Sequence, residues 1–137
     1  MKLLTTAALA AMVLAAPAYA GDAAKGEKVF NKCKACHTLV DAAGTAVIKG
    51  GKTGPNLYGV IGRPVASVAD FNYSESIKAV GAKAVVWDEA MLVEYVADPK
   101  AWLNKQLGAT DAKSNMSFKL NKPEDAADLA AYLATLK

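Results

Sequence analysis

The chain has 137 residues, 53% of them hydrophobic, and a formal net charge of +3 from 16 basic and 13 acidic side chains. That length suits one small domain, and so slight a basic excess excludes the electrostatic footprint of a nucleic-acid binder. Two cysteines and one histidine are too few for a structural zinc site, which takes about four such ligands.

Residues Met1 to Ala20 read as a secretory signal. Lys2 gives the positive start, Ala7 to Ala16 a short apolar run, and Ala18-Tyr19-Ala20 an A-x-A cleavage site before Gly21. The run is short for a membrane span, which leaves an uncleaved anchor as the weaker alternative. Cleavage after Ala20 yields one domain over 21–137 in the oxidising periplasm, with a net charge of +2 because Lys2 is the only charge removed.

The first helix is expected from Asp22, a suitable N-cap, to the cysteine motif, with Gly26, Val29, Phe30 and Cys33 on one face. Gly26 in the middle of that face predicts a second helix crossing it closely. Thr38 to Leu57 carries Gly44, Gly50, Gly51, Gly54 and Pro55 and reads as loop. A short helix is expected over Ser74 to Val80. A clearer one runs from Asp88 to just before Pro99, burying Met91, Leu92, Tyr95 and Val96, and another short one covers Pro99 to Leu107. A polar loop follows from Gly108 to Ser117. The last helix opens on Pro123, Glu124 and Asp125 and carries a Leu129, Tyr132, Leu133, Leu136 stripe, the natural partner for the first. No strand pairing is expected; the class is all-α.

Chemistry concentrates in Cys33-Lys34-Ala35-Cys36-His37, which holds every thiol and imidazole of the chain. On a helical turn both sulfurs and the imidazole project from one side, as covalent attachment of haem c through two thioethers requires. A thioredoxin-like dithiol would need a preceding strand in a βαβ setting, and a plain disulfide leaves His37 unexplained. With one histidine, bis-histidine ligation within the chain is impossible, so the sixth position falls to methionine, lysine, a weak oxygen ligand or nothing. Of the methionines outside the signal, Met91 sits at helical spacing with Tyr95 and reads as core, whereas Met116 lies in a polar loop. A domain that gains much of its core from such a cofactor is expected to be largely unfolded without it.

The whole stretch after the signal resembles the class I c-type cytochromes, specifically the bacterial cytochrome c2 type. The resemblance rests on the Cys33 to His37 motif, Thr53-Gly54-Pro55-Asn56-Leu57-Tyr58-Gly59, Gly62-Arg63, Phe71-Asn72-Tyr73, Trp87, Tyr95 and Asn115-Met116-Ser117-Phe118. It implies one haem, terminal helices packed together around it, and His37 and Met116 as iron ligands. It further implies the Pro55 carbonyl accepting from His37 Nδ1, the Tyr95 hydroxyl directed at the Met116 sulfur, and Arg63, Tyr73 and Trp87 as hydrogen-bond donors to the propionates.

The function so implied is a soluble, monomeric, non-enzymatic one-electron carrier. Its donor would be a cytochrome bc complex and its acceptor a photosynthetic reaction centre or a terminal oxidase in the respiratory chain. Lys32, Lys34, Lys49, Lys52, Lys100, Lys105, Lys113, Lys119 and Lys122 lie near segments expected around the haem, and would dock acidic partners at the haem edge. The rival class, a gas-binding or peroxidase-like protein with an open sixth site, is disfavoured by the absence of a distal histidine and by the Met116 loop.

Overall fold

A glycine decides how the two ends of the chain meet. In the computed structural model, which describes residues 20–137, α1 (Ala23–Val29) is crossed by α5 (Pro123–Ala134) at Gly26. A Cβ on Gly26 would stand 1.9 Å from the Asp128 carbonyl oxygen and 2.7 Å from Tyr132 Cβ, so the backbones touch and only glycine fits. Asp22 caps α1, its carboxylate accepting from the Ala24 and Lys25 amides. The Asp22 N–H in turn donates to Asp128 Oδ1 at 2.7 Å. Phe30, fully buried, meets Tyr132 edge-on at 6.3 Å. Burying Phe30, Leu129 and Leu133 stabilises this crossing by about 1.5–3 kcal/mol each.

The middle of the chain supplies three more helices, α2 (Glu75–Gly81), α3 (Glu89–Ala97) and α4 (Pro99–Leu107). Asp88 caps α3 by accepting from Met91 N at 2.7 Å. Asp98 ends α3 and caps α4, accepting from Ala101 N at 3.0 Å, with Pro99 in the first turn where its missing N–H costs nothing. Helix α3 lies against α5 and α4, and α4 against α2, so α3 stands between the terminal pair and the rest. Met91 and Tyr95 are half-buried rather than buried, and Tyr95 lines the cavity.

The 38–57 segment departs from the expected loop. It contains an antiparallel pair, β1 (Leu39–Val40) and β2 (Ala46–Ile48), with a bulge between Leu39 and Val40. Asp41 closes the turn, its Oδ1 accepting from the amides of Ala43 and Thr45 at 2.9 and 2.8 Å. The β-branched Val40, Val47 and Ile48 on either side of an Asp41…Gly44 turn favour extended backbone. The class remains all-α, with the terminal helices packed together as expected. The expected signal over Met1 to Ala20 lies, Ala20 apart, outside the described residues. Among those described, no helix is long and apolar enough to cross a membrane.

Candidate functional site

The chain leaves α1 through a 3₁₀ turn (Phe30–Lys32), then folds Cys33 to Cys36 into further turns. His37 N–H donates to the Cys33 carbonyl at 3.0 Å, which closes a helical turn between the first cysteine and the histidine. The glycine-rich stretch then doubles back beneath it, with Gly51 N–H bonded to the Lys34 carbonyl at 2.9 Å and Gly54 N–H to the Cys36 carbonyl at 2.8 Å. Asn56 pins this stretch to β1, accepting from Val40 N at 3.0 Å and donating to Val40 O at 2.7 Å. Gly54 lies flat on the His37 ring, where a Cβ would come 2.3 Å from Cε1. The Pro55 carbonyl is 2.8 Å from His37 Nδ1. That carbonyl has no proton to give, so Nδ1 carries the hydrogen and Nε2 is the free ligand atom.

All nine residues singled out from the sequence line one cavity of about 290 Å³: Cys33, Cys36, His37, Pro55, Arg63, Tyr73, Trp87, Tyr95 and Met116. Leu57, Val60, Ile77, Leu92, Val96, Leu129 and Leu133 supply most of its apolar wall. No disulfide joins the two cysteines. Burial pushes the Cys33 thiol up to about 11, against a downward pull from Lys32 and a further upward push from Cys36. Burial likewise lowers the His37 pKa, partly offset by the Pro55 hydrogen bond, which favours the neutral imidazole that binds a metal.

Arg63 and Trp87 are placed side by side by a backbone bridge, with Gly62 N–H donating to the Trp87 carbonyl at 2.8 Å and Trp87 N–H to the Arg63 carbonyl at 3.0 Å. The Arg63 guanidinium donates to the carbonyls of Tyr58 and Asn56 at 3.2 and 3.0 Å. Two of its five donors are thereby used, which fixes the fork and leaves the others for a carboxylate. Burial lowers its pKa and the neighbouring Tyr73 opposes that. The Tyr73 hydroxyl accepts from Val68 N–H at 3.1 Å, so its own proton is available to donate. Trp87 stacks on Trp102, centroids 5.0 Å apart, and meets Tyr95 edge-on at 5.1 Å.

Tyr95 stands differently from the expected contact with sulfur. Among the described hydrogen bonds none joins it to Met116; its hydroxyl lies beside Ser114, which lowers a pKa that burial raises. Ser114 in turn bonds both Met116 backbone groups, donating to the carbonyl at 2.9 Å and accepting from the N–H at 3.1 Å. Ser114 and Trp102 escaped the sequence reading. Ser114 had a visible signal, a short hydroxyl residue two positions before a polar-loop methionine, whereas nothing local marks Trp102 as the partner of Trp87. Of the nine lysines, only Lys32 lines the cavity, and Lys32, Lys105 and Lys119 are engaged with Asp125, Glu94 and Asp98.

The cavity fits a flat, largely apolar group that is bonded at two sulfurs, ligated by an imidazole and bears carboxylates near Arg63, Tyr73 and Trp87. Comparison with known proteins agrees. The cytochrome c family model matches residues 23–137. Cytochrome c2 of Rhodobacter capsulatus is 53% identical over 133 residues, covering 97% of this chain and 96% of that protein. Cytochrome c-550 of Paracoccus versutus is 56% identical over 138 residues, covering 98% and 88%. Among solved structures, cytochrome c2 from Rhodobacter capsulatus superposes with a TM-score of 0.81 at 51% identity, covering 84% of this chain and 97% of that one. The Paracoccus denitrificans cytochrome c2 gives 0.80 at 56% identity, covering 84% and 95%. The chain therefore belongs to the cytochrome c family, as a class I cytochrome of the c2 type built around one covalently bound haem c.

Proposed function

We propose that this electron-carrying cytochrome works in the periplasm as a monomer, with His37 and Met116 as the residues that would ligate the haem iron. It would take single electrons from a cytochrome bc complex and pass them to a reaction centre or terminal oxidase. The observation that carries the reading is the convergence of His37, both cysteines and Met116 on one cavity wall system. Haem c, when bound, supplies the iron whose one-electron change is the charge carried.

The chain's own residues do the rest. Cys33 and Cys36 offer the two sulfurs for the thioethers, and Pro55 and Gly54 fix the His37 ring. The Met116 thioether, soft and uncharged, favours the reduced metal and raises the potential. A position filled by sulfur is closed to oxygen, which separates a carrier from an oxygen-activating protein. Cys36 and Ala35 are exposed at the cavity rim, as is Phe118 at 43%, giving an edge that a partner reaches without entering the fold.

The test is the visible spectrum of the holo-protein in both redox states, with carbon monoxide added to the reduced form. A low-spin spectrum unmoved by carbon monoxide, with a ferric methionine band that Met116→Ala abolishes, is expected. A shift with carbon monoxide would overturn the closed site in favour of gas binding. For docking, the bimolecular electron-transfer rate to a membrane partner should fall as salt rises; a salt-independent rate removes the lysine surface from the reading.

A further inference from the structure

Between the end of α4 at Leu107 and the start of α5 at Pro123 the chain has no helix or strand, so its backbone groups must find partners elsewhere. On the C-terminal side of Met116 the anchorage is backbone and core. Leu120 N–H donates to the Val96 carbonyl of α3 at 2.7 Å, and the Leu120 side chain is buried. Lys119 Nζ adds a pair with Asp98 at 2.6 Å.

On the N-terminal side Ala112 is buried as well, but the backbone groups around it are held by three side chains rather than by backbone. Ser76 Oγ, in the first turn of α2, accepts from Lys113 N–H at 2.9 Å. Ser74 Oγ donates to the Lys113 carbonyl at 3.2 Å. Asn104 Oδ1, on α4, accepts from Ala112 N–H at 2.9 Å. Both backbone groups of Lys113 are thus held by serines from a different part of the chain, three residues before the methionine.

We propose that Ser76, assisted by Ser74, is a positioning residue for Met116: the two hydroxyls latch the backbone at Lys113 and set how readily the sulfur leaves the cavity. The inference rests on Met116 being the sixth ligand. Opening begins at this latch and pivots about Leu120, since side-chain hydrogen bonds at Ser74 and Ser76 are exposed to competition from water, whereas the Leu120 anchor is a backbone bond on a buried side chain. Losing one net hydrogen bond raises the open fraction roughly fivefold. A ligand that binds only the open form then gains the same factor in apparent affinity.

The experiment titrates ferric holo-protein with imidazole, which takes the iron position only after the sulfur has left, in wild type, Ser76→Ala, Ser76→Thr and Lys119→Ala. Ser76→Ala should raise imidazole affinity roughly fivefold. Ser76→Thr, which keeps the hydroxyl, should stay near wild type, and Lys119→Ala, which removes only a surface ion pair, should change it by less than about twofold. Amide exchange at Ala112 and Lys113 should quicken in Ser76→Ala while the slow amides of α1 and α5 keep their rates. Unchanged imidazole affinity in Ser76→Ala overturns the latch. So does faster exchange that spreads to α1 and α5, which would mean a general loss of stability. Wild type binding imidazole as tightly as Met116→Ala would overturn the ligand assignment itself, and the latch with it.

Discussion

The terminal-helix pair and the walls of the cavity are held by opposite means. Where α1 crosses α5, backbones touch at Gly26 and the fit is completed by Phe30, Leu129, Tyr132 and Leu133, all buried. Around the cavity, irregular segments are tied by side chains reaching backbone groups: Asn56 to Val40, Arg63 to Tyr58, Ser76 to Lys113. Helices satisfy their own backbones, so they are free to bury apolar faces. Loops that must present a ligand or a donor at one atom's position do not, and they borrow polar side chains instead. The first region packs backbone on backbone and lends the cavity only Leu129 and Leu133, while the second is shaped around what it holds.

Removing the cofactor gives the largest expected effect. Cys33→Ala/Cys36→Ala protein made without haem should be largely unfolded, because a small domain that loses the filling of its cavity has too little core left. A well-dispersed NMR spectrum of that variant would show instead that the helix pair and its neighbours suffice. Gly26→Ala strikes the helix crossing, on the side away from the cavity residues Leu129 and Leu133. The new Cβ meets backbone at 1.9 Å, and a loss of about 3 kcal/mol in denaturant unfolding is expected, with the visible spectrum of the folded fraction unchanged. Gly54→Ala is its counterpart at the site, forcing the His37 ring to move. Its stability loss should be smaller, about 1–2 kcal/mol, but it should alter the haem spectrum and the reduction potential. If Gly26→Ala moved the spectrum as much as Gly54→Ala, the two regions would not be separable.

The smallest effect sharpens the same contrast through pH. The hydrogen bond from Lys32 holds Asp125 below its ordinary 3.8, and the one from Lys119 does the same for Asp98. A carboxylate depressed on folding adds stability that is present above its ordinary pKa and lost as pH falls through the lower folded value. Asp125→Asn should therefore weaken the acid sensitivity of thermal unfolding below about pH 4. Asp98→Asn should lessen the acid sensitivity of unfolding in the same way while leaving the methionine band nearly unchanged, since its pair with Lys119 is a surface contact. Both effects are small, as surface pairs are.

How much was legible follows the same division. The helix pair could be read because its signals are local: an aspartate cap at Asp22, Pro123 opening α5, and a glycine at mid-face that announces a close crossing. Cys33 to His37 was legible because the chemistry demands its spacing. The hairpin at 39–48 was missed although Asp41 and Gly44 mark a turn, because strands of two and three residues have too little alternation to register. The Lys113 latch left no trace at all. Its partners are 37 and 39 residues away, and a serine that caps a helix looks the same as one that holds a distant loop.

The aromatic cluster has a practical consequence. Both tryptophans of the chain, Trp87 and Trp102, sit stacked 5.0 Å apart beside the cavity, while the crossing of α1 and α5 is marked by Phe30 and Tyr132 alone. A porphyrin against Trp87 drains the excited state of both indoles by energy transfer, so the holo-protein should be nearly dark in tryptophan emission. Light returns only when the indoles and the cofactor part company. The molecule thus carries an intrinsic optical gauge of its cofactor-bearing half, one that reads loosening there and is blind to fraying at the chain ends.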